Sequence, residues 1–379
     1  MDRQRRKIIM ASLALMATGC AGRLLPAAQG GNPLNLILGG GRYKTGEGDA
    51  VKYVLSILDL ESGAHELTEM GFLPHGIHRN PVDMNRLAIF EKRGPGACEY
   101  DLKKREIVRA IPVVGHRSFY GHGAYSADGR ILYSTETSLD TLDGVIGMRD
   151  SRDLRYLGEF PSYGKEPHEC KLIAGGKVLA VTNGGGPLQG DAPSVAYIDV
   201  TTRKLIEKIT LASPNINAGH LAVSHDGTLV VVSAPRSGMD KNSLGGISIH
   251  APGKATVLLS DPQAVTAKMF GESLSVVIHE QRGILAVTDP GGNMVTFWSL
   301  KDDVLLMMLE LPYPRGIELT VDGKYFIVSY GEKASVGLVS AETLALNTES
   351  VLDQTFITGS HIYNWSRPMS ELFAPGPVV

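Results

Sequence analysis

The sequence predicts an all-β fold, a seven-bladed β-propeller with four-stranded blades. A self-similar unit recurs about every 47 residues. An Asp-Gly or Gly-rich turn falls at a fixed place in each unit, and the composition, with Gly 44, Pro 20 and 6% aromatics, suits short strands joined by tight turns.

The unit is clearest from Gly121-His122, where a short apolar strand runs into Asp128-Gly129 and then a second strand, Ile131 to Tyr133. It returns in register at Gly219-His220 with Asp226-Gly227, and at Arg315-Gly316 with Asp322-Gly323. Looser copies begin at His75-Gly76, at Pro167-His168-Glu169 with Gly175-Gly176 as the turn, and at Ser275 with Gly283 as the turn; a partial copy begins at His361. Seven anchors at a mean spacing of about 48 residues match propeller blades. Asp-Gly supplies the positive φ that a two-residue hairpin requires.

Third strands follow at Val145 to Asp150, Val195 to Asp199 and Val295 to Trp298, and fourth strands at Arg155 to Phe160 and Leu205 to Leu211. One blade cannot bury both its faces, so residues 31–379 are expected to fold as a single propeller domain. Strands at Leu34 to Leu38 and Val54 to Leu58 precede the first anchor, and His361 to Trp365 follows the last full blade. The two ends are therefore expected to complete one shared blade. The stretches 184–193 and 234–245, rich in Gly, Pro and Asp, read as loops on one face. A short helix within Asp261 to Phe270 would account for the long interval between the anchors at His220 and Ser275.

Residues 1–30 read as an export signal: Arg3, Arg5, Arg6 and Lys7 form a positive region before the short apolar stretch Ile8 to Ala17. Gln4 to Ile9 resembles a twin-arginine signal, except for Gln where Ser or Thr is usual. Ala17-Thr18-Gly19-Cys20 resembles a lipobox, which would attach the protein to a membrane through a lipid on Cys20; cleavage near Ala27-Ala28 is the alternative. The expected location is the periplasm, free or lipid-anchored.

With 20% charged residues and a net charge of −3 there is no footprint for nucleic acid. Cys98 and Cys170 are too few for a disulfide scaffold, and their spacing fits no zinc motif. A Gly-x-Ser-x-Gly elbow and a His-Glu-x-x-His helix are both missing from the sequence. Gly39 to Gly41 and Gly184 to Gly186 lack the strand-to-helix context of a phosphate loop and read as turns.

In a propeller each anchor lies at the mouth of the central channel, so residues some fifty apart in sequence become neighbours. The anchors are His75 (or His78), His122, His168, His220, Ser275, Arg315 and His361, so five of seven offer histidine in a chain with 11. Imidazole is the commonest metal-binding side chain, and Glu169 and Cys170 stand beside His168 as oxygen and sulfur donors. Two readings fit. Either the histidines form a funnel for a transition metal such as iron or copper, a haem edge or an organic ligand, or each ring donates N–H to a neighbouring blade's carbonyl in a packing role copied by duplication. Arg315 counts against a cation and favours a carboxylate or phosphate. Glu136 and Asn183 follow inner hairpins and read as loop positions or as further funnel residues.

Gly121-His122-Gly123, Asp128-Gly129-Arg130, Gly144 to Gly147, Gly158 to Pro161, Pro167-His168-Glu169, Asn183-Gly184-Gly185 and His220 to Val223 together resemble the bacterial domain of unknown function 1513 family. Cys170, where an apolar residue is usual, and Pro314-Arg315-Gly316 depart from its pattern. The resemblance implies a periplasmic propeller, encoded near imelysin-like and other iron-acquisition proteins, with no established activity. Two functions stay open: a binding or assembly protein in iron homeostasis, partnered by periplasmic iron-uptake proteins, and a metal-dependent, redox-active enzyme.

Overall fold

The computed structural model describes residues 35–367, apart from Glu47 and Lys241. The export signal and Cys20 lie outside the described residues.

Seven antiparallel four-stranded sheets form a ring, six of them ordered from the inner strand outward in chain order. The inner strands are Pro74–Arg79 in blade two, Arg117–Tyr125 in blade three, Pro167–Ile173 in blade four and His220–Val223 in blade five. Ser275–His279 and Ile317–Leu319 serve blades six and seven. In blade one the inner strand is the last of the chain, Ile362–Asn364, paired antiparallel with the first, Leu36–Tyr43. The shared closing blade expected from sequence is thus present. His220 and Ser275 begin their inner strands, His75 and His168 are the second residues of theirs, His361 and Arg315 lie one and two residues ahead of theirs, and His122 lies within the longer strand of blade three. The helix expected in the long interval is one turn, Gln263–Thr266.

The second strands show why the repeat reads as apolar runs rather than as alternation. Val178–Asn183, Ile284–Asp289 and Leu229–Ser233 are buried along their whole length. Successive side chains leave a strand on opposite faces, and in a ring both faces of a blade meet a neighbour. In blade four, Leu179 and Val181 pack toward blade three with Cys170 and Phe160. Val178 and Ala180 pack toward blade five with Leu221 and Val231. Seven such apolar clusters occur, one per blade interface, and the last joins Ile37 and Ile362 of blade one to Ile327 and Val336 of blade seven. The core is therefore distributed around the ring, and the axis is left to other residues.

Hydroxyls fix where the inner strands of blades three, four, six and seven begin. Thr182 Oγ1 accepts from Glu169 N at 2.9 Å and donates to Gly219 O of the next blade at 2.7 Å. Thr135 does the same between His122 N and His168 O, at 3.3 and 3.1 Å. Thr288 does so between Ser275 N and Arg315 O, at 3.1 and 2.6 Å. Each clasp joins consecutive blades at the height of the anchors.

Candidate functional site: a histidine cluster on the axis

Three inner strands are irregular where their histidines stand. The pairing register shifts between Pro74 and Gly76, between Phe119 and Gly123, and between Pro167 and Cys170. An extra residue at such a bulge turns a side chain that strict alternation would aim into a blade face. His75, His122 and His168 occupy these three irregular positions, and His220 and His361 join them from blades five and one.

The five rings converge. Ring centroids are 4.6 Å apart for His168 and His220, 4.1 Å for His220 and His361, 4.7 Å for His75 and His361, and 4.8 Å for His75 and His122. None is more than 8% exposed. His168 Nε2 lies 2.8 Å from His220 Nε2, which is itself 2.8 Å from His361 Nε2. His75 Nε2 is 3.4 Å from both His168 and His220. Ligand nitrogens of His75, His122, His220 and His361 all lie within 4.8 Å of one another.

Backbone carbonyls set two of the tautomers. His168 Nδ1 donates to Tyr120 O of blade three at 2.7 Å, and His220 Nδ1 donates to Leu274 O, at the entry to blade six, at 2.6 Å. A neutral ring protonated at Nδ1 presents a bare lone pair at Nε2. The 2.8 Å contact between these two rings therefore sets lone pair against lone pair. His122 goes further: both its ring nitrogens are buried with no hydrogen-bond partner among the described residues. Buried polar atoms without partners are rare and call for an explanation.

Protonation does not resolve the contact. Burial, reinforced by neighbouring imidazoles, holds His75, His122, His220 and His361 well below the usual histidine range. Burial alone is the main cause for His168, lowered to about 3. His78, the alternative to His75 at the first anchor, stands apart from the nitrogen cluster: its Nε2 is buried without a partner beside His122, and burial lowers it to about 3. The arrangement is a pocket of neutral nitrogen donors.

The remaining residues singled out by sequence are committed elsewhere. The Glu169 carboxylate accepts from Leu221 N at 2.7 Å and pairs with Lys171 Nζ at 3.2 Å. Cys170 packs among Tyr133, Ile146 and Leu172, and burial raises its thiol. Arg315 reaches Gly359 O, Ser360 Oγ and the Tyr313 hydroxyl at 3.2 to 3.4 Å, at the rim beside His361. Glu136 is a buried partner of Arg149 at 2.9 Å, and Asn183 Nδ2 donates to Ser162 O at 3.0 Å. Neither takes part in the cluster. Lys92, ahead of the third strand of blade two, pairs at 3.8 Å with Glu272, which leads into blade six.

The sequence reading missed the threonine clasps, although it held a signal for them. Each hydroxyl lies thirteen residues after the N–H it accepts. It also missed the carbonyls of Tyr120 and Leu274, which carry no side-chain signature.

The model of the family described as protein of unknown function (DUF1513) matches residues 69–358. A search of curated proteins finds no match to the sequence. Solved structures of similar fold include hydrazine synthase of Kuenenia stuttgartiensis, at 12% identity and TM-score 0.62, with 78% of this chain and 92% of that chain covered. A hypothetical selenium-binding protein from Sulfolobus tokodaii gives 14% identity and TM-score 0.65, with 86% and 92% covered. Dihydro-heme d1 dehydrogenase NirN, in complex with DHE, gives 14% and 0.56, with 88% and 76% covered. At these identities the likeness is one of fold.

Proposed function

The chain belongs to the DUF1513 family, and from the nitrogen cluster on its axis we propose that it binds a transition metal ion there. The observation that carries this reading is the 2.8 Å approach of His168 Nε2 and His220 Nε2 with both Nδ1 protons given to carbonyls. A cation between the two lone pairs turns a repulsion into two bonds. Tetrahedral ligation at about 2.0–2.1 Å places ligand nitrogens about 3.3 Å apart, and tighter angles bring them nearer. Observed separations of 2.8 to 3.4 Å bracket that figure. The carbonyls of Tyr120 and Leu274 act as outer partners that orient metal-binding imidazoles. The packing role and the metal role are then one arrangement: Nδ1 serves the blade and Nε2 serves the ion.

An all-imidazole set suits copper or iron, and zinc as a redox-silent relative. We take the protein to be a binding protein in metal homeostasis, with iron as the first candidate on the family resemblance. Placement in the periplasm, export through the twin-arginine route, attachment through Cys20 and partnership with iron-uptake proteins are parts of the same proposal, motivated by the leader and that resemblance. A redox enzyme is the second reading, favoured by the channel that reaches His361 and His78 from the other face. Two of the chains of similar fold come from structures named for enzymes, dihydro-heme d1 dehydrogenase and hydrazine synthase.

The test is metal analysis of protein purified without an affinity tag, followed by calorimetric titration of chelated protein with copper, iron and zinc salts. One equivalent is expected in the wild type. His168→Ala with His220→Ala should abolish uptake while Arg315→Ala retains it. A folded wild type that takes up none of the three metals would overturn the reading.

A further inference from the structure

Below the histidines the inner strands enclose a channel of about 410 Å³ that reaches His361 and His78 at its inner end. Such a volume is in the range that holds small molecules. Its wall takes a residue from each inner strand. Ala124, Val223 and Val276 are small apolar parts of this wall, and His78, Glu169, Lys171, Glu318 and Tyr363 are polar parts of it.

Charge decides what belongs in it. Five neutral imidazoles leave a bound dication uncompensated in a buried place, where an isolated charge is costly. The carboxylate nearest in sequence, Glu169, is already held by Leu221 N and Lys171. The pairs Glu318–Arg367 and Arg149–Glu136 are likewise self-contained. Lys171 differs. Its ammonium donates to Leu221 O at 2.5 Å and to Glu169 at 3.2 Å, which uses two of its three protons, and its side chain is 44% exposed although it lines the channel.

Resting on the metal reading above, we propose that the channel is a second-ligand site: a small monoanion enters from the face opposite the histidines, binds the axial metal beside His361 and is held by Lys171. The anion supplies the charge the imidazoles lack. Val223 and Val276 limit its cross-section and leave room for a short apolar tail.

The experiment uses the full chain loaded with copper(II) and titrated with azide, followed by the azide-to-copper charge-transfer absorption. The wild type is expected to saturate at one azide per metal. Lys171→Met should keep its copper and lose affinity for azide at least tenfold, Lys171→Arg should hold close to the wild type, and Val223→Trp should keep its copper and lose the azide band. A copper-loaded wild type whose spectrum ignores azide, or Lys171→Met and Val223→Trp proteins that bind azide as tightly as the wild type, overturns this inference and leaves the metal site standing. Failure of the wild type to take up copper, iron or zinc overturns both.

Discussion

Acid should unfold the metal-free protein with unusual steepness. Six buried rings, His75, His78, His122, His168, His220 and His361, are held below the ordinary value of 6.5, two of them to about 3. An unfolded chain protonates these imidazoles from pH 6.5 downward, whereas the folded chain does not until far lower. The unfolded state therefore binds more protons, and stability falls with pH from about 6.5 toward about 3. At pH 5.5 each ring contributes a loss of roughly 1 kcal/mol relative to pH 8, so six contribute several kcal/mol. That is on the order of the whole stability of a folded domain, about 5–15 kcal/mol. Asp289 opposes the trend by one group. Burial raises its carboxyl to about 7, so it favours the fold as pH falls from about 7 toward its ordinary 3.8. Urea unfolding of chelated protein at half-unit steps from pH 8 to 5, followed by far-ultraviolet ellipticity, gives the proton number from the slope. Four to six protons taken up on unfolding near pH 5.5 are expected. A slope of one proton or fewer would refute the picture of buried neutral rings.

Asp289→Asn should stabilise the protein by up to about 4 kcal/mol at pH 8 and by about 1–2 kcal/mol at pH 5, where the folded carboxyl is protonated but the unfolded one still ionises; chemical unfolding at the two pH values checks this. Thr182→Val removes a hydroxyl that serves Glu169 N and Gly219 O across a blade boundary, and should cost about 1–3 kcal/mol in urea unfolding at pH 8. Cys98 and Cys170 are buried in separate interfaces, their thiols raised by burial, to about 12 for Cys98; neither should react with a thiol reagent in native protein, and both should react in urea.

The blades were legible because each needs the same turn chemistry. Asp128-Gly129, Asp226-Gly227 and Asp322-Gly323 mark the hairpins between inner and second strands, with Gly129, Gly227 and Gly323 at positive φ. Convergence of the histidines followed from register alone. What register does not tell is the side to which a residue turns once a strand bulges. His168, Glu169 and Cys170 are consecutive, yet the first joins the cluster, the second is taken by the next blade's backbone and the third enters the core. A two-residue period cannot separate neighbours across a register shift, because the extra residue resets the alternation. Arg315 shows a different limit. Its position at the rim follows from the repeat, but its partners Gly359 and Ser360 belong to the closing segment, whose path no repeat dictates.

The closing strand Ile362–Asn364 begins one residue after His361, so joining the ends of the ring and delivering the fifth imidazole are the same event. A chain still being completed carries its other four histidines without the one that brings the circle shut. The axial ion would then act as a rivet, opposing the slippage of the three-residue closing strand. Occupancy of the axis would report that the protein had been finished, and fraying at its last blade would release the ion before any other blade came apart.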